Sequence, residues 1–72
     1  MQFTQRFNEL INSKNITPYR MAKNTGIPNR MIGYWKNGDR IPSAENLVKI
    51  ADYLDVSTDY LLGRTNNPEV NK

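Results

Sequence analysis

The chain has no cysteine and no histidine among its 72 residues. Without cysteine there is no disulfide and no thiolate metal site. With both missing, the commonest general base, the commonest metal ligand and the best nucleophile are absent together. A chain this short buries only a modest core, so the remaining carboxylates have little pocket to work in. An enzyme is not expected, nor is a cofactor or a metal. Long apolar runs are missing too. None approaches membrane-spanning length, and the N-terminus lacks a charged-then-apolar signal pattern. The expectation is a soluble, cytoplasmic, single-domain protein with no membrane partner. No strand alternation, repeat or low-complexity run appears, so stability must come from packed helices.

What is present is an uneven distribution of charge. The formal net charge is only +3. From Lys14 to Arg40, however, six basic residues face Asp39 alone, a net of +5. From Ile41 to Gly63, Lys49 stands against Glu45, Asp52, Asp55 and Asp59, a net of −3. Two readings fit this division: a pair of solvated faces, or a surface that approaches a polyanion from one side.

Five short helices can be read. The first spans Thr4 to Ser13, with Thr4 as N-cap and Phe3, Phe7, Leu10 and Ile11 on one face. The second starts at Thr17-Pro18, a capping residue followed by a proline preorganised for the first helical position. Met21, Ala22 and Thr25 form its inner face, and Gly26 ends it. The third runs from Pro28 or Asn29 to Lys36 and is closed by Gly38. The fourth starts at Ser43, with Glu45 favoured in its first turn by the helix dipole and Leu47, Ile50, Ala51 and Leu54 as its stripe. The fifth is capped by Ser57, packs Leu61 and Leu62, and stops at Gly63. Connections of two to four residues make this a compact all-α domain over residues 1–63. Residues 64–72 hold one apolar residue, Val70, and are expected to be a flexible C-terminal tail.

The third helix carries the most information. Pro28, Met31, Ile32 and Trp35 fall on one face at i, i+3, i+4 and i+7, which reads as core. Asn29, Arg30, Gly33, Tyr34 and Asn37 fall on the other. A surface selected only for stability would favour Glu, Lys and Ala there, since glycine costs about 1 kcal/mol relative to alanine inside a helix. Gly33 reads either as drift at a tolerant site or as a place where another molecule approaches closely. Ala22, Gly26 four residues later, then Ile32 and Trp35 at helical spacing fit a helix-turn-helix. Such a second helix enters the major groove and presents its first residues to base edges. Arginine pairs with guanine and asparagine with adenine, so Arg30 and Asn29 have suitable chemistry at the right end.

At this point the sequence resembles the lambda-repressor-like, or phage-repressor and Cro type (XRE), helix-turn-helix domains. The resemblance runs from Phe7 to Gly63. It is carried by Met21-Ala22, Gly26-Ile27, Ile32, Trp35, Asn37-Gly38, Arg40-Ile41-Pro42-Ser43, Leu47-Val48-Lys49-Ile50-Ala51, Val56-Ser57 and Asp59-Tyr60-Leu61-Leu62-Gly63. Each piece is weak alone, and together they are specific. The resemblance implies a five-helix fold, major-groove binding by the third helix, and a homodimer on a palindromic double-stranded DNA operator. It implies base reading by Asn29, Arg30 and Tyr34, with Gly33 against the groove wall. It implies phosphate contacts from Thr17, Tyr19, Asn37 and Arg40, to which the outward-pointing Arg20 is added. The sequence departs from the family at Pro18, where a phosphate-binding glutamine is common, at Pro28, where a serine or threonine cap is usual, and at Asp39, which replaces a frequent lysine. These departures point to weaker or differently placed phosphate clamping.

Trp35 is read as core, and Lys14 and Lys23 as solvated charges that steer DNA only at long range. The leading expectation is a sequence-specific DNA-binding transcriptional regulator of phage or bacterial repressor type. The competing one is a protein-interaction module, antitoxin-like or antirepressor-binding, that uses DNA secondarily. Arg40 is expected to contact a phosphate, so its removal would weaken binding to every sequence about equally.

Overall fold

The computed structural model describes residues 2–69 of the chain. Met1 and residues 70–72, which include Val70 of the expected tail, lie outside the described residues. Five helices follow in order: α1 Gln2–Ser13, α2 Pro18–Thr25, α3 Asn29–Asn37, α4 Ala44–Leu54 and α5 Thr58–Leu61. No strand occurs among the described residues.

Helix α1 begins earlier than the sequence suggests. Thr4 lies inside it rather than capping it. Phe3, Phe7 and Ile11 are all buried, and the rings of Phe3 and Phe7 stack with centroids 5.3 Å apart. Keeping Phe3 in register with Phe7 requires helical backbone before Thr4, and that packing prevails over a local cap. The other capping residues act as expected. Thr17, Ser43 and Ser57 each accept the backbone N–H three residues on, from Arg20, Asn46 and Tyr60, at 3.1, 3.3 and 3.0 Å.

The turn between α2 and α3 is short. Gly26 adopts φ +75° and donates its N–H to the Ala22 carbonyl at 2.9 Å. That left-handed conformation is what glycine tolerates and other residues resist. Ile27 then drops into the core, 2% exposed. Pro28 was expected on the core face, but it is exposed and occupies the N-cap of α3 without a side-chain hydrogen bond. It stands just outside the helix, so the helical period does not carry it inward.

Trp35 is the centre of the core. It is fully buried and meets Phe7 edge-on, with centroids 6.2 Å apart and planes at 82°. Its indole N–H is buried without a hydrogen-bond partner. Helix α3 packs on α1 and α2, α4 on α2 and α5, and α1 on α5. Leu61 is fully buried, whereas Leu62, expected to pack, is 37% exposed. Leu62 falls beyond the last residue of a four-residue helix, where the chain is already turning outward.

The connection from α3 to α4 spans residues 38–43, longer than expected. After Gly63, residues 65, 66 and 68 bond back to α1 and to the start of α5. Arg6 on α1 lies over the Tyr60 ring at 4.3 Å. Its guanidinium donates to the carbonyls of Tyr60, at 2.8 Å, and Thr65, and to the Asn66 side chain at 2.8 Å. The Ser57 N–H donates to the Pro68 carbonyl at 2.9 Å.

Candidate nucleic-acid interface

Helix α3 divides as its period requires. Ile32 and Trp35 are fully buried and Met31 is half-buried against the core. On the opposite side Asn29, Arg30 and Asn37 are exposed and Gly33 is half-buried, while Tyr34, expected on this outer face, is half-buried and packs in part against the core. The buried side fixes the helix in place, and the other side is left for solvent or a ligand. A Cβ placed on Gly33 would meet no atom within 4 Å. The protein's own packing therefore does not require glycine there.

Both ends of α3 are held. At its start, the N–H of Met31 bonds the Pro28 carbonyl at 3.0 Å. At its end, Gly38 adopts φ +81°. The Gly38 N–H then donates to the Trp35 carbonyl at 3.4 Å and the Asp39 N–H to the Tyr34 carbonyl at 2.9 Å. This pair is the Schellman closure, which satisfies carbonyls that a helix end leaves free. Asn8 on α1 satisfies another, donating its side-chain N–H to the Lys36 carbonyl at 3.0 Å.

The turn at Gly38 carries the chain back beside the helix it has just left. As a result the Arg40 guanidinium carbon lies 4.9 Å from the centroid of the Tyr34 ring. Two of the sequence-predicted site residues are thereby brought into direct contact.

At the start of α2, Thr17 is committed to its capping bond. Tyr19 stands 69% exposed and Arg20 is exposed beside it. Pro18 is half-buried at the first helical position. Among the described residues the one ion pair is Lys49–Glu45, 3.8 Å apart on α4. Arg20, Arg30 and Arg40 have no carboxylate at that range. Their charges are thus not neutralised within the described protein, which is the state that attracts a polyanion. The acids Glu45, Asp52, Asp55 and Asp59 are all exposed, and they sit on or beside α4 and α5 rather than on α3.

Sequence reasoning missed two features. One is the Asn8 bond to the last turn of α3, between residues 28 apart in sequence. The other is the Arg40–Tyr34 stack. The Asn37-Gly38 closing signal was visible, but where it would deliver Arg40 was not.

Comparison with known proteins agrees with this geometry. Residues 8–61 match the helix-turn-helix family. The chain is 38% identical over 64 residues to the cryptic phage CTXphi transcriptional repressor RstR of Vibrio cholerae, covering 89% of this chain and 57% of that protein. It is 31% identical over 67 residues to the uncharacterized HTH-type transcriptional regulator YobD of Bacillus subtilis, covering 93% and 60%. It is 29% identical over 62 residues to the HTH-type transcriptional activator BcrR of Enterococcus faecalis, covering 86% and 30%. The chain thus spans less than two thirds of the length of each of these relatives. No solved structure matches it.

Proposed function

The chain belongs to the helix-turn-helix family, and from that premise we propose that it is a sequence-specific regulator of transcription that binds double-stranded DNA in the major groove through α3. It binds as a homodimer on a palindromic operator and acts in the cytoplasm as a repressor. Asn29, Arg30 and Tyr34 read base edges, and Gly33 allows the helix backbone to approach the groove. Thr17, Tyr19, Arg20, Asn37 and Arg40 hold the phosphates on either side.

The observation that carries this reading is the outer face of α3. It presents amide, guanidinium and phenol groups around a glycine with room for a side-chain carbon, on a helix anchored by Ile32 and Trp35. Arginine and asparagine at the start of such a helix have the donor geometry for guanine and adenine. Repression is favoured over activation because the relative named a phage repressor is matched at higher identity, and over more of its length, than the relative named an activator.

The test is selection of duplexes from a random DNA library by the purified chain at moderate salt, followed by sequencing. Enrichment of a palindromic motif supports the proposal, and the half-site spacing gives the dimer geometry. A folded protein that enriches nothing overturns it and leaves the protein-interaction reading.

A further inference from the structure

We infer that Arg40 is a positioning residue for base reading, acting through the Tyr34 ring, in addition to any contact it makes with a phosphate. The inference rests on the DNA-binding reading above and deepens it.

The geometry is built by the end of α3. Gly38 takes the left-handed conformation, and the Asp39 N–H closes onto the carbonyl of Tyr34 itself at 2.9 Å. The residue after Asp39 is therefore held beside the residue whose carbonyl is bonded. Arg40 comes to lie over the Tyr34 ring at 4.9 Å, within the range of a cation–π contact. Tyr34 stands one helical turn after Arg30 on α3 and is half-buried. Its ring packs against the hydrophobic core on one side, which already limits its orientations. A guanidinium lying over the ring adds a second restraint before DNA arrives, so less order is lost on binding. Arg40 is exposed in the loop after α3 and is also one of the residues proposed above to hold a phosphate. One side chain thereby couples the sequence-independent contact to the sequence-dependent one.

This separates Arg40 from an ordinary phosphate contact. A lysine at position 40 keeps the charge but loses the planar stack. If Arg40 only neutralises phosphate, Arg40→Lys should behave nearly as the wild type, and Arg40→Ala should weaken binding to all duplexes by one factor.

The experiment uses the duplex that the wild-type chain selects, together with every single-base-pair variant of it. Binding is measured by fluorescence anisotropy at several salt concentrations for the wild type, Arg40→Lys, Arg40→Ala, Tyr34→Ala and Arg40→Lys with Tyr34→Ala. The Tyr34→Ala profile identifies the base pair that Tyr34 reads. Arg40→Lys is expected to keep the salt dependence of the wild type while losing about threefold to tenfold of the discrimination at that base pair. Arg40→Ala is expected to lose the same discrimination and also about one unit of salt slope. In the Tyr34→Ala background, Arg40→Lys is expected to change nothing further at that position.

Discrimination at that base pair left intact in both Arg40 variants, with all duplexes weakened by one factor, overturns the inference and leaves DNA binding standing. A Tyr34→Ala profile equal to the wild type at every position also overturns it. A wild-type chain that selects no duplex removes the DNA-binding reading, and this inference with it. Arg40 is exposed and in a loop, so thermal melting equal to the wild type is the folding control for the two Arg40 variants, and melting well above the assay temperature is the control for those carrying Tyr34→Ala, which loses packing on the core.

Discussion

The side chain of Asn8 donates a hydrogen bond to the backbone carbonyl of Lys36 at 3.0 Å, fastening the first helix to the last turn of the third. Lys36 lies in the final turn of α3, so its carbonyl has no partner within the helix. The bond is partly buried, and removing the amide leaves that carbonyl dependent on whatever water can reach it. Asn8→Ala is expected to destabilise the domain by about 1 kcal/mol, read from urea denaturation. An unchanged midpoint would mean that solvent already satisfies Lys36.

Gly33 offers a test in which stability and binding move in opposite directions. The protein leaves room for a methyl group there. Gly33→Ala is therefore expected to stabilise the free domain by about 1 kcal/mol through helix propensity. The same methyl should weaken DNA binding by about 1 kcal/mol or more if the groove wall packs against the backbone at this point. A variant that gains stability with unaltered affinity would place Gly33 at a merely tolerant position.

Arg30 is exposed and lacks an ion-pair partner among the described residues. Arg30→Ala should leave the melting temperature almost unchanged, since surface substitutions of this kind stay within about 0.5 kcal/mol. On the best duplex it is expected to cost about 1–3 kcal/mol and to relax the preference at one base pair. Equal losses across all single-base variants would remove Arg30 as a reader.

Arg6 gathers the end of the described chain. Its guanidinium holds the carbonyls of Tyr60 and Thr65 and the Asn66 side chain, and it lies over the Tyr60 ring. Arg6→Met keeps most of the stem packing and removes the donors. It is expected to destabilise by about 2 kcal/mol and to speed limited proteolysis after Gly63. Cleavage at the wild-type rate would show that Arg6 does not restrain this segment.

What could be read from sequence alone was chiefly what is settled locally. Thr17, Ser43 and Ser57 are capping residues whose bonds reach only three residues along the chain, and each forms. The burial of Ile32 and Trp35, and the exposure of Asn29 and Arg30 opposite them, follow from the helical period. The errors arose where distant packing overrides a local preference. Thr4 looks like a cap, but Phe3 must be helical to stack on Phe7. Leu62 looks apolar enough to pack, but α5 ends before it. The Arg40–Tyr34 stack escaped for a related reason. Its partners are six residues apart across a left-handed turn, and no periodic pattern connects them.

The clasp around Arg6 also ties α1 to the stretch that follows α5. A side-chain carbon added to Gly63 would come within 2.6 Å of Gln2, so the start of α1 and the stretch after α5 lie side by side. Phe3 stands in that same first turn of α1 and stacks on Phe7, which in turn meets Trp35 of α3 edge-on. A line of packed rings thus runs from this seam into the middle of α3.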